Sequence, residues 1–331
     1  MSEQTTRYQQ RPEQAQYGDQ YPDDEIDLRE LFTTLWAGKW LIIAITFLFA
    51  VGGVGYALYK PDIYQASVLM APANEEGGMG GISGQLGGLA SLAGINIGGG
   101  SSNQTAIATE VLKSRAFLAE FIKRHNLDVP LMATSGWNEA GESWRYDRKI
   151  YNPKTEQWLP DEEGKSQQPT DWDLVKAFKE NHLSVSENKD NGMITLNVKS
   201  QSPLAAKQWA EWLVQDINEH MRQDDVASAE ARIAYLEGKL SDTNIAGMQQ
   251  VFYQLIESET RTVMLANAQQ EYVFRTIDPA VVPQEKSEPK RALIIVLAVI
   301  LGGMFGVLAV FVRLFVVKGN DHISEDTNHH K

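Results

Sequence analysis

The residues here that could do chemistry must first pass tests of spacing. Gly164-Lys165-Ser166 has the form of the end of a phosphate-binding loop. Such a loop also needs a glycine five positions earlier and a hydrophobic strand leading in, so that successive amides and the lysine converge on one phosphate. The earlier position is Leu159, and Pro160 and two acids crowd the approach, so the match is coincidental. The tract EEGGMGGISGQLGGLASLAGINIGGGSS, residues 75–102, contains no G-x-G-x-x-G. It reads as a mobile loop or as a close-packed interface segment. Of six histidines, His125, His182 and His220 are isolated, and His322, His329 and His330 lie in a polar tail. There is no H-E-x-x-H, no G-x-S-x-G and no cysteine, and no pair of carboxylates stands out. Thiol catalysis, disulfides and thiolate metal sites are therefore excluded. The sequence designates no catalytic, metal or cofactor residue.

The aromatic residues are the last candidates. Trp137, Trp144, Tyr146, Tyr151, Trp158 and Trp172 stand among Asn, Asp and Glu. They could stack on sugar rings, or they could pin a loop to the domain. A net charge of −13 over 331 residues argues against a nucleic-acid partner, which requires a basic face.

Two apolar runs organise everything else. The first, WLIIAITFLFAVGGVGYALY, covers 40–59, and the second covers 292–312, with Arg313 free to snorkel. Each has about the 20 residues a helix needs to cross a bilayer. The polar segment before the first run is too long and too acidic for a signal peptide, so that run is expected to be retained. Both tails, 1–39 and 313–331, then share one side, and residues 60–291 lie on the other. Arg7, Arg11, Arg29, Lys39, Arg313, Lys318 and Lys331 favour cytoplasmic tails, while Lys290 and Arg291 argue locally the other way. Ala298, Gly302 and Gly306, and likewise Gly53 and Ala57, recur every fourth residue, a spacing that suits close helix packing. Glycine is also simply common in membrane helices.

Between the runs, IYQASVLMAP reads as a strand with Tyr64, Ala66, Val68 and Met70 on one face. Ile107, Val111, Leu118, Phe121 and Ile122 give helical spacing, with Asn126 as a stop. Asp190-Asn191-Gly192 marks a hairpin turn before Ile194, Leu196 and Val198. Ser202 and Pro203 begin a helix expected to run to about 274, with a bend near Gly238, Gly247 and the SDTN between them. Asp224 and Asp225 read as a solvated face. A helix of that length cannot bury its middle on a small domain, so it is interrupted or packs on copies of itself. Residues 272–277 alternate as a strand able to pair with the one leaving the first span. The segment 279–289, with Pro279, Pro283 and Pro289, then returns the chain to the membrane as an extended strut.

From DEIDLRELFTTLWAGKWLI through LIESETRTVMLANAQQEYVFRTIDPAVVP to the second span, the chain resembles the Wzz family of polysaccharide co-polymerases. The resemblance implies an α+β fold, with two transmembrane helices flanking a periplasmic domain that has a membrane-proximal α/β base and a long extended helix. It also implies cytoplasmic termini in a bacterial inner membrane and a ring-like homo-oligomer. The implied function is non-enzymatic: setting the modal length of O-antigen or a related glycan, grown on a lipid carrier by a Wzy-type polymerase. The small-residue faces and the proline segment are the expected points of coupling to that polymerase. Some relatives carry a kinase, for which the residues after the second span leave no room. The competing reading is a periplasmic adaptor for polysaccharide export.

Overall fold

The computed structural model describes residues 28–73 and 100–326. The glycine-rich tract up to residue 99, Arg7, Arg11, His329, His330 and Lys331 lie outside them. Two units are distinct, one made of the segments up to Gly55 and from Ala292 onward, the other of Tyr56–Arg291.

In the first unit, α1 (Leu28–Ala37) precedes α2 (Lys39–Tyr59), and α9 (Arg291–Asp326) is the last helix. Lys39–Tyr59 and Arg291–Arg313 are long and apolar enough to cross a membrane. The final helix does not stop with its apolar run but continues to Asp326.

The second unit is a sheet covered by helices. Its elements are β1 (Tyr64–Pro72), α3 (Gly100–Leu112), α4 (Arg115–Arg124), α5 (Asp128–Met132), β2 (Thr134–Asn138), β3 (Ser143–Tyr146), β4 (Tyr151–Asn152), β5 (Gln157–Trp158), α6 (Asp171–Ala177), β6 (Leu183–Glu187), β7 (Ile194–Ser200), α7 (Pro203–Ser241), α8 (Ala246–Ala268) and β8 (Phe274–Asp278). The sheet order is β6-β7-β1-β8, antiparallel throughout. Strand periodicity sets its core face: Ala66, Val68 and Met70 of β1 and Ile194, Leu196 and Val198 of β7 are buried together. Trp209, Leu213 and Ile217 of α7 and Phe117, Leu118, Phe121 and Ile122 of α4 close over that face.

Local chemistry explains the helix boundaries. The helix expected across 107–126 divides in two, because Ser114 turns out of the helix and its Oγ accepts from the amide of Phe117 (3.2 Å). Asn126 ends α4 with φ of +50°, a conformation asparagine tolerates. Ser202 caps α7 through the amide of Ala205 (3.2 Å), with Pro203 in the first turn. The β6–β7 turn is wider than a two-residue hairpin, since its last strand pair is Glu187 with Ile194. Gly192 takes the positive φ there (+64°).

The helix expected to run from 203 to about 274 is two helices. α7 has 39 residues, roughly 58 Å at 1.5 Å each. The chain turns at 242–245, and α8 packs back along α7. Gly238 and Gly247 lie inside the helices, so the break belongs to the side chains between them. Ser241 Oγ bonds the carbonyl of Gly238 (2.7 Å) and Gln249 Nε2 that of Thr243 (2.8 Å), which compete with helical hydrogen bonds. Arg232–Glu259 (2.9 Å) and Arg222–Asn267 (2.8 Å) lace the two helices together. Doubling back lets each helix bury a stripe that one long helix would have exposed. Even so, Met248, Val251, Leu255 and Leu265 share one side of α8 at 3.6 residues per turn and remain exposed.

His182 follows α6 in a wide helical turn and packs against Phe178 and Trp209, with Nδ1 2.7 Å from the Lys199 carbonyl. Burial pushes its pKa below the ordinary 6.5, and the bond to Lys199 opposes this only in part. The unfolded chain then binds a proton at a pH where the folded chain does not. Stability is full above about 6.5 and falls as pH drops below it, by at most about 1.4 kcal/mol per pH unit. Thermal unfolding followed between pH 7 and about 5 is expected to be steeper in pH for the natural protein than for His182→Gln. Equal slopes would refute this reading of His182.

Candidate functional site

Of the small residues expected to permit close packing, Gly53 of α2 and Ala298 of α9 lie opposite one another, whereas Gly302 and Gly306 face Thr46, Phe49 and Ile42. A Cβ added at Gly53 would stand 2.6 Å from Ala298 Cβ; one at Gly302 would stand 2.9 Å from Thr46 Cα and 2.8 Å from Phe49 Cβ. One at Gly306 would stand 2.9 Å from Ile42 Cα, and one at Gly38 would meet the Val310 side chain at 2.5 Å. Gly38, which the sequence reading missed, thus extends a row of positions four residues apart along α9. Phe49 and Phe305 stack beside the row, with ring centroids 5.5 Å apart. The face therefore joins the two spans of one chain.

The proline segment and Ala57 belong to the second unit. Ala57 is buried, and its carbonyl accepts from Arg291 Nε (3.3 Å). Pro279 follows β8 directly and is exposed, while Pro283 and Pro289 are half-buried. Pro289 follows the stretch that lies against the residues leaving the first span. Ile63 N donates to Glu288 O (2.9 Å), and Ser287 N donates back to Ile63 O (2.8 Å). Asp62 accepts from Lys286 Nζ (2.5 Å) and from Arg291 Nη2 (2.7 Å), and Lys199 pairs with Glu288 (2.5 Å). Proline supplies no N–H, so the bonds to the residues leaving the first apolar helix are made by its neighbours Ser287 and Glu288.

Beside this lacing is an open polar cleft of about 560 Å³, lined by the last turn of α2, by β2, by Arg145 of β3 and by Lys286 and Arg291. The Tyr64 hydroxyl donates to Glu139 at its edge. Burial, and then the Glu139 carboxylate, push the Tyr64 pKa up to about 12. Sequence reasoning found none of this, because the cleft joins segments far apart in the chain.

The aromatic-rich stretch folds as two short ribbons whose rings pack on one another. Trp137 meets Trp144 edge-on (5.1 Å), and Trp144 stacks on Trp209 (6.4 Å) at the core. Tyr151 meets Trp158 (5.5 Å), whereas Trp172 is 62% exposed. The rings chiefly pin the ribbons down. At Gly164-Lys165-Ser166 the Asp161 carboxylate accepts from the amides of Glu163 (3.0 Å) and Lys165 (2.8 Å). Those amides are thereby taken from any phosphate. Among the described residues no group of three His, Asp or Glu side chains could hold a metal ion.

Two family models match the chain: Wzz, the chain length determinant protein, over residues 24–125, and a G-rich domain on putative tyrosine kinase over 242–315. The chain is 27% identical over 222 residues to the ECA polysaccharide chain length modulation protein of Salmonella typhimurium strain LT2. That match takes in 62% of this chain and 59% of the relative's length. Among solved structures, a full-length bacterial polysaccharide co-polymerase aligns with a TM-score of 0.37 at 15% identity, covering 88% of this chain and 99% of the other. A fragment of WzzB, a polysaccharide co-polymerase from Salmonella Typhimurium, aligns with a TM-score of 0.28 at 11% identity, covering 69% and 100%.

Proposed function

We propose that the chain belongs to the Wzz chain length determinant family, whose model matches residues 24–125, and that it sets the modal length of a surface polysaccharide without catalysing a reaction. The observation that carries the reading is the match of its N-terminal region to a chain length determinant, together with a relative that modulates the chain length of a polysaccharide. In this reading both spans cross a bacterial inner membrane, the termini are cytoplasmic and the domain between them is periplasmic. The domain acts beside a Wzy-type polymerase that extends a lipid-linked glycan.

The protein works as a homo-oligomer. Support comes from the helical hairpin, where Met248, Val251, Leu255 and Leu265 form an exposed apolar row on α8. Such a row is costly in water and is covered when a like surface meets it. The proline lacing carries coupling to the polymerase, because it ties the residues that follow the first span to those that lead into the second.

Deleting the gene in its host is expected to leave polymer synthesis running while the length distribution on a polysaccharide gel loses its modal peak. Reintroducing the gene restores the peak. An unchanged distribution would refute the proposal, and complete loss of surface polymer would point instead to an export adaptor.

A further inference from the structure

The polar cleft has features that the lacing beside it does not use. Four basic side chains line it, Lys60, Arg145, Lys286 and Arg291, against the carboxylates of Asp62 and Glu139. Asp62 already holds Lys286 and Arg291, and Glu139 holds the Tyr64 hydroxyl. Arg145 and Lys60 meet no carboxylate among the described residues, and Lys60 has only the ring of Tyr56 at 5.4 Å. Gly136 makes room for this arrangement. A Cβ there would stand 2.9 Å from Arg145 Nη2, so only glycine lets the guanidinium lie across β2 at the cleft.

A second observation is independent of charge. Gln201 lines the cleft, and its side-chain oxygen is buried with no hydrogen-bond partner. Buried polar groups are seldom left in this state, and a molecule with a polar hydrogen, or water, would satisfy it.

The third observation is location. Leu58 and Tyr59 of the cleft end the first candidate span, and Arg291 begins the last. Where these helices cross a bilayer, that rim of the cleft falls at the depth of lipid headgroups. Its volume, about 560 Å³, lies within the range of small-ligand sites.

We propose that this cleft binds the phosphoryl headgroup of an anionic membrane lipid, with Arg145 and Lys60 pairing with the phosphate and Gln201 meeting a polar hydrogen of the headgroup. A planar guanidinium and an ammonium converging on one group suit a phosphate oxygen cluster, and charge-assisted bonds in a partly enclosed site outweigh those on an open surface. The inference stands on the membrane spans and the cleft alone, and it does not depend on the chain-length reading.

The test is native mass spectrometry of the full chain released from detergent, with added phosphatidylglycerol, polyprenyl phosphate or inorganic phosphate. One lipid per protomer is expected to be retained, and whichever of the two lipids is retained identifies the source of the phosphate. Arg145→Gln with Lys60→Gln is expected to lower retention roughly ten-fold or more, since each basic residue near a membrane surface contributes about 1 kcal/mol. Lys290→Gln supplies the control, because Lys290 is exposed beside the span but does not line the cleft. It should leave retention unchanged. Tryptophan fluorescence on heating verifies that the variants fold. Equal retention by the natural protein and the double variant would overturn the proposal. So would an equal loss in Lys290→Gln, or binding of inorganic phosphate with neither lipid.

Discussion

Replacing Asn218 by leucine is expected to destabilise the domain by about 3–5 kcal/mol. Asn218 is buried, and its side chain is fully used. Oδ1 accepts from the amides of Val273 (2.8 Å) and Phe274 (2.9 Å). Nδ2 donates to the carbonyls of Phe274 (3.0 Å) and Val214 (3.1 Å). The need arises in the sheet. Ala73 N donates to Val273 O, so Phe274, opposite Pro72, is a non-hydrogen-bonded position of the edge strand β8; its N–H and C=O point away from β1, and Asn218 meets both. Leucine fills similar space but strands the amides of Val273 and Phe274, at about 1–3 kcal/mol each, besides two weakened carbonyls. For a domain of this size that is a fall in Tm of roughly 8–15 °C, read from tryptophan fluorescence of the full chain in detergent. Asn218→Asp keeps the acceptor and loses the donor, so its loss should be smaller. If Asn218→Leu unfolds within about 2 °C of the natural protein, the clamp is not what holds β8 to α7.

Asn218 also shows where sequence reasoning stops. The strand at 64–70, the cap at Ser202-Pro203 and the pairing of the strand before the prolines with the strand leaving the first span were all legible. Each depends on residues close in sequence or on a period that one buried face imposes. A lone asparagine in an amphipathic helix looks like a solvated position, because its partners lie 55 and 56 residues away. Asp225 misleads in the same way. Read as part of a solvated pair, it accepts from the Tyr272 hydroxyl (2.7 Å) and from Gln104 Nε2 (2.7 Å), and so joins α7 to the chain on both sides. The break at 242–245 was half legible. Its polar residues announced it, but the direction in which α8 leaves is set by apolar contact and by Arg232–Glu259. The cleft was not legible at all. Lys60, Gly136, Arg145, Gln201 and Arg291 come from separate segments, and no local period relates them.

Leucine at both Gly302 and Gly306 is expected to separate the two spans and, under the proposed function, to shift or broaden the modal glycan length. The atoms that a new side chain would meet first are mainly backbone and Cβ atoms. A Cβ at Gly302 would lie 2.9 Å from Thr46 Cα and 2.8 Å from Phe49 Cβ, and one at Gly306 would lie 2.9 Å from Ile42 Cα. The far end of a flexible side chain could turn away from an intruding methyl, but these atoms cannot, so the helices themselves must move. Overpacking of this kind costs about 1–3 kcal/mol per site. In a bilayer, where van der Waals contact and not water exclusion holds helices together, little else compensates. The absence of cysteine offers a clean measurement. Cysteines placed at Phe49 and Phe305, whose rings stack at 5.5 Å, should be joined within one chain by a short thiol cross-linker. Adding Gly302→Leu and Gly306→Leu should abolish most of that product. Gly303→Leu is the control, because a Cβ there meets nothing within 4 Å. The packing argument fails if cross-linking survives the double change. The functional argument fails separately, if cross-linking is lost while the glycan keeps its modal length. In the second case the seam holds the anchor together, and under the proposed function coupling would fall to the proline lacing, where Asp62 grips Lys286 and Arg291.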